Sequence, residues 1–373
     1  MNKVTKFIFR SFIALIVLFG LVEAVLWLAA PVEPDPGSKL IFNNQIAGMK
    51  ERVIFEMGPD HLRRDGWSAG SKADGAVRIV CIGGSQTAAV LQNAEDAWWG
   101  QLRRQLEAAH PNKKFEFGAL GVDSRGVLYG AKWARMYLAG WRPDLVIAQY
   151  GIEDVLLQPE SYEYDDQKSS KIVIRRQRTG LKGFLVQWSQ LCRRISLFRS
   201  QTKMKIRQKD YGKQNFYASI LHNSRLVYRE LDMAYTIPRP ETADPIVEYK
   251  EGLSGIVSAA RDAGAKVLFV GEPSLCSELS VQKERSLMMY AMRMKDPEKP
   301  LMRPRAGWVE GEIIRYYREG WRYAKEVRVP FINLHTQVPQ DGDHFINEMI
   351  LTDLGAKKVA ELLQPEVEKI LGE

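Results

Sequence analysis

Cysteine and histidine are scarce in this chain. Its 373 residues include three cysteines and five histidines. Cys81, Cys192 and Cys276 cannot pair evenly and no Cys-x-x-Cys spacing occurs, which argues against a disulfide framework and a cysteine-held metal. Cys81 falls within an apolar run and reads as a small buried hydrophobe. There is no internal repeat and no low-complexity tract, so repeat architectures are excluded. No nucleic-acid-binding motif is present, despite a formal net charge of +8. Neither a metal nor an organic cofactor is implied. The apolar fraction of 45% and the charged fraction of 26% are those of a globular protein with a sizeable core.

The first thirty residues differ from the rest. Lys3, Lys6 and Arg10 precede an apolar stretch from Ser11 to Ala30, interrupted by Glu23. About 20 residues are needed to span a bilayer core, whereas the apolar region of a cleaved signal peptide runs to about 7–15. Residues 1–30 are therefore expected to form an uncleaved transmembrane helix. The positive flank predicts a cytoplasmic N-terminus and an extracytoplasmic main domain. Glu23 is costly in lipid, and is expected near the interface, protonated, or against a partner helix. Residues 31–75 contain Pro and Gly with little periodicity and read as a tether and lead-in.

From residue 76 to 373 a β/α alternation takes over. Strands are expected at 77–82, 115–120, 144–150, 266–271 and 330–334, and helices at 94–109, 125–140, 247–263, 310–327 and 353–371. The strands are continuous apolar runs, as in Asp144 to Tyr150 and Lys266 to Gly271, the pattern of strands buried on both faces. Strands separated by helices imply a five-stranded parallel sheet. A long insertion, about 160–246, lies between the third and fourth strands. Its middle is basic, with Arg193, Arg194 and Arg199 among its cations, while Phe184, Leu185, Trp188, Leu191, Ile195 and Phe198 recur at helical spacing. That pattern suits a helix packed on the domain with a solvated basic face. It also suits a helix lying on anionic lipid, or a groove for an acidic polymer.

Four blocks fall at strand carboxyl ends, the ligand-binding edge of such a sheet. They are Gly83-Gly84-Ser85-Gln86-Thr87, then Ala119 to Gly126, then Tyr150-Gly151-Ile152-Glu153-Asp154, and last Asp341 to Gly355. A serine hydroxyl needs a base to become a nucleophile. His61 lies in the lead-in, His110 at a helix end, His222 in the insertion and His335 just past the fifth strand, leaving His344 in the last block.

In the order and spacing of these blocks, residues 75–371 resemble the SGNH, or GDSL-like, hydrolase superfamily. The resemblance implies a flavodoxin-like three-layer α/β/α sandwich and ester hydrolysis or acyl transfer, including O-acetyl chemistry on cell-envelope glycans. It implies Ser85 as nucleophile, with the Ser85 and Gly121 N–H groups as oxyanion donors. The third block of the family reads Gly-x-Asn-Asp, so Glu153 stands where a side-chain donor belongs. An ionised carboxylate only accepts hydrogen bonds. The fourth block of the family reads Asp-x-x-His just before Leu-Thr. In that register the pair is Asn347 and Ile350, and the base is absent. A second register, Asp341-Gly342-Asp343-His344, has the same spacing six residues earlier and offers His344 as base and Asp341 as its orienting acid.

Two functions follow. One is an extracytoplasmic ester hydrolase or O-acyltransferase working through Ser85 on an O-acylated glycan or small ester. The other is a catalytically degraded relative that binds glycan or serves envelope assembly. The expected topology has a direct check: a reporter fused after Glu373 should be active only in its extracytoplasmic form, and cytoplasmic activity would refute it.

Overall fold

The computed structural model describes residues 38–43, 48–58, 62–67, 72–122, 125–156, 233–234, 245–276, 292–293 and 301–372. They fall within one unit, Ser38–Tyr164 with Asn215–Glu373. The expected anchor at 1–30 and most of the basic insertion lie outside the described residues.

In chain order, β1 (Ser38–Asn43) and β2 (Arg52–Met57) pair as an antiparallel hairpin. Then come β3 (Arg63–Asp65), β4 (Val77–Gly83), α1 (Ser85–Ala88), α2 (Trp98–Ala109), β5 (Phe115–Gly121), α3 (Val127–Trp141), β6 (Leu145–Tyr150) and α4 (Ile152–Leu156). The rest comprises β7 (Met233–Ala234), α5 (Pro245–Asp262), β8 (Lys266–Gly271), β9 (Met292–Arg293), β10 (Leu301–Pro304), α6 (Ala306–Val327), β11 (Phe331–Asn333) and α7 (Asp353–Leu371). β7, β10 and β9 form a small separate sheet.

The main sheet runs β11-β8-β6-β4-β5-β3. The five expected strands are all present and parallel. Numbered among themselves they run 2-1-3-4-5 across the sheet, the flavodoxin-like order. The expected strand number needs correction: the sheet has six strands, because β3 pairs antiparallel with β5. Arg63, Arg64 and Asp65 are all charged, so no apolar run marked them as a strand. The lead-in is also more regular than expected. In β2, Val53, Phe55 and Met57 are buried while their neighbours are exposed, but Ile54 on the outer face blurs that alternation in the sequence.

Successive side chains of a strand face opposite layers. Ile79, Cys81, Leu145, Ile147, Leu268 and Val270 share one core with Trp98, Leu102 and Leu106 of α2 and Val359 and Leu363 of α7. On the other face α3 packs against α5, and α5 against α6. Covering both faces explains why the strands are continuously apolar. α2 begins at Trp98, later than expected, because Asn93 turns the chain first: its carbonyl accepts from the N–H groups of Asp96 and Ala97, and its amide donates to Asp96 Oδ2 at 3.0 Å.

Among the described residues, one ion pair is almost fully buried, at the start of β4 and β5. Arg78 and Glu116 sit opposite each other on β4 and β5. Arg78 Nε donates to Glu116 Oε2 at 2.8 Å, and the guanidinium lies 4.0 Å from the Trp67 ring centre. Both side chains are almost fully buried. Removing one partner strands the other charge, so Glu116→Ala should cost about 3–5 kcal/mol in urea unfolding. The Arg78→Met, Glu116→Leu double variant should lose clearly less. A single-variant loss under about 1 kcal/mol would mean that solvent reaches the pair.

Candidate active site at the end of the central strand

β4 is flanked by β5 on one side and β6 on the other. The connection from β4 goes to one neighbour, and the chain then returns past β4 to reach the other. At such a switch point the loops part, leaving a crevice at the strand carboxyl ends. Ser85 opens α1 at this point and is nearly buried. α1 is a single turn, closed by Ala88 N–H to Gly84 O and Ala89 N–H to Ser85 O, both at 2.9 Å.

So short a helix has no stability of its own, and its neighbours hold it. Gln86 Nε2 donates to Pro273 O at 2.6 Å. Thr87 Oγ1 donates to Gln149 Oε1 at 2.9 Å, and Trp99 Nε1 to Thr87 O at 3.1 Å. From β3, the buried Arg63 donates to Ala88 O at 2.5 Å, Ala89 O at 2.9 Å and Gln92 O at 3.0 Å. Its guanidinium packs over the rings of Phe55 and Trp99. Gly121 sits opposite Gly83 in the β4–β5 register, and a side chain there would collide with the Ala88 backbone. The structure thus brings Ser85 and Gly121 together.

Glu153 joins them. α4 starts directly after β6, and the buried Glu153 carboxyl accepts the Ser85 backbone N–H through Oε1. Gly84 is required here, since any side chain would strike that carboxyl. Two further acids surround it. Glu272, just past β8, accepts Ile152 N–H at 2.8 Å, and the charge of Glu153 reaches it. Burial and the neighbouring Glu153 charge push the Glu272 carboxyl well above the usual carboxylate range. Asp154 accepts Val127 N–H at 2.8 Å. Burial pushes it up to about 7; the Val127 N–H opposes this and the Glu153 charge adds to it.

His344 lies elsewhere in its hydrogen bonding. Its Nδ1 is 2.7 Å from Asp341 Oδ1, in an exposed turn, and that oxygen also accepts the N–H groups of Asp343 and His344. The slight burial of Asp341 would raise its pKa. The hydrogen bonds from His344 outweigh that and hold the carboxyl below its ordinary value. Asn347 serves the backbone: its Oδ1 accepts the N–H groups of Met349 at 3.0 Å and Ile350 at 2.7 Å. Thr352 caps α7 by accepting Gly355 N–H at 3.1 Å. Residues Leu351 to Gly355 are therefore a helix start, with Ile350 just ahead of it.

Sequence reasoning missed Glu272 and Arg63. Glu272 carried a signal, an acid directly after a buried strand on the ligand edge; Arg63 carried none. His335 is fully buried, with Nδ1 3.2 Å from Ser274 Oγ, and desolvation lowers its pKa to about 4, leaving it neutral at pH 7. Among the described residues no group of three or more His, Cys, Asp or Glu is arranged to hold a metal ion.

Fold and site together define a flavodoxin-like α/β/α sandwich with a serine at its switch point, the architecture that the SGNH resemblance implied. No protein-family model matches the chain. No curated protein matches it. Among solved structures, it is similar to a carbohydrate acetylesterase family member from Sinorhizobium meliloti, at 15% identity and a TM-score of 0.41, covering 80% of this chain and 100% of that one. It is also similar to the M. smegmatis aryl esterase, at 15% identity and a TM-score of 0.42, covering 79% of this chain and 100% of the other. Likenesses this distant carry no weight here; the fold rests on the strand order.

The elevated Asp154 has a consequence for stability. Its folded pKa is raised, so its contribution is complete below about pH 4 and is lost as pH rises to about 7. Across that window the native protein should lose up to about 4 kcal/mol relative to Asp154→Asn, read as the change in their urea stability difference. Parallel pH profiles for the two proteins would refute the assignment.

Proposed function

We propose that the Ser85 pocket is an SGNH-like acyl-ester site. Ser85 Oγ attacks the acyl carbon, and the alcohol leaves as the acyl-serine ester forms. Water then hydrolyses that ester, or an acceptor hydroxyl takes the acyl group. Asp341 and His344 supply an oriented base in this reading, since their hydrogen bond fixes the ring and leaves Nε2 for the serine proton. Small acyl esters and O-acyl groups on glycans are the substrate class. The observation that carries the reading is Ser85 itself, the first residue of a helical turn at the carboxyl end of the central strand, beside the crevice where such sheets bind ligands.

A specific observation favours a second reading, a degraded site that binds without turnover. The Ser85 N–H, which an oxyanion would need, is taken by Glu153. Loss of one oxyanion donor costs about 10²–10³ in turnover. Ile350 in the position before Leu351 has no proton chemistry.

The two separate in one set of assays on the full-length protein with p-nitrophenyl acetate and an O-acetylated glycan. The hydrolase reading expects slow turnover that Ser85→Ala abolishes and His344→Ala lowers by at least about tenfold. The degraded reading expects no native turnover, with activity appearing in an Ile350→His, Asn347→Asp, Glu153→Asn triple variant and vanishing when Ser85→Ala is added. Turnover unaffected by Ser85→Ala would sink both.

A further inference from the structure

Three segments meet at Asp353, the first residue of α7. Its Oδ1 accepts from Gln92 Nε2 at 2.9 Å and its Oδ2 from the Lys50 N–H at 3.0 Å. Its own N–H donates to Gly48 O at 3.1 Å. Gln92 lies on the chain that leaves the Ser85 turn. Gly48 and Lys50 belong to the lead-in, just ahead of β2. A single half-buried carboxylate thus joins the serine side, the lead-in and the start of the last helix. Hydrogen bonds to an ionised acceptor are stronger than those between neutral groups.

On each side the tie reaches the chemistry in a few steps. Gln92 N–H donates to Ala89 O at 3.0 Å, and Ala89 N–H to Ser85 O at 2.9 Å. Ala89 is in the left-handed conformation, with φ 45°, which a residue with a side chain keeps only where its surroundings hold it. Arg63 holds it, by binding Ala88 O, Ala89 O and Gln92 O together. On the other side Thr352, next to Asp353, grips the His344 turn. Its N–H donates to His344 O at 3.0 Å and its Oγ1 to Asp343 O at 2.5 Å. Gly355 lies so close to His344 O that a side chain there would strike it. The lead-in spans both sides. Besides Asp353 it engages Asn93, whose Oδ1 accepts the Ile54 N–H at 2.8 Å, and Asp96, which pairs with Lys50 Nζ at 2.7 Å.

On the reading that Ser85 and His344 work as nucleophile and base, we propose that Gln92 and Asp353 are positioning residues that clamp the serine turn to the turn carrying His344. Neither touches the reacting atoms. Their hydrogen bond sets how the two turns stand to one another, and the lead-in braces it through Arg63 and Lys50. Gln92 and the lead-in lie outside the four blocks at the strand ends, so the site needs chain that those blocks do not contain.

The first test does not depend on turnover. Gln92→Met keeps the side-chain length and removes the amide. In hydrogen–deuterium exchange on the full-length protein it should speed exchange by about tenfold in the peptides covering 85–92 and 343–355 together, while β6 and β8 keep their native protection. Asp353→Ala should loosen the same two peptides. No change, a change in only one of the two, or a loss spread evenly over the protein overturns the proposal.

The second test is p-nitrophenyl acetate hydrolysis. Gln92→Met should lower kcat by about tenfold with little change in KM, since a small misplacement of the base costs the chemical step. Added to His344→Ala it should cost nothing further, because no base is left to position. An equal loss in both backgrounds would show a merely structural role and overturn the clamp. If the native protein hydrolyses no ester but both peptides loosen together, the acyl-ester reading fails while the clamp between the two turns stands.

Discussion

β4 is paired on both edges and buried on both faces, and the rest of the molecule is arranged round that constraint. A strand so enclosed has only its ends available for chemistry. Its amino end is closed by the Arg78–Glu116 pair. Its carboxyl end breaks at Gly83-Gly84 into the Ser85 turn, where the flanking connections diverge. The serine is held from four sides, by Pro273 beyond β8, Gln149 of β6, Trp99 of α2 and Arg63 of β3. Each of these contacts bonds a residue or carbonyl next to Ser85, so the turn that presents the serine is fixed through its neighbours.

The electrostatics of the pocket follow from the same packing. Three carboxyls enter a dry space from the ends of β6 and β8, and aromatic side chains from α5 and α6 close over them. Desolvation and the neighbouring carboxyls raise the cost of charge on Asp154 and Glu272, while two backbone N–H groups, of Val127 and Ile152, offset part of it.

Much of this was legible in the sequence for a physical reason. Strands buried on both faces write continuous apolar runs, and β4, β5, β6 and β8 were readable as such. Gly-Gly-Ser after β4 marked the turn, and the last helix was placed at 353–371. β3 was not legible, because an edge strand of three charged residues is held by its partners rather than by its pattern. Glu153 was recognisable as an odd residue in its block, but its contact with Ser85 depends on α4 and α1 meeting across the crevice. Glu272 lies 119 positions further along than Glu153, and no local pattern announces that the charge of one such distant acid reaches the other.

β3 also decides where the folded unit starts. It covers the outer edge of β5, whose backbone groups would otherwise be open to pairing with another chain. It also brings Arg63 to the carbonyls that end the Ser85 turn. A fragment cut at residue 76 would keep every parallel strand and every block of the site. It would nonetheless present a bare sheet edge to other copies and lose the cation that braces the Ser85 turn. The working boundary of this domain is set by a lead-in that looked like a tether, and a soluble fragment has to begin before Ser38 to keep the β1–β2 hairpin, the edge cover and the brace together.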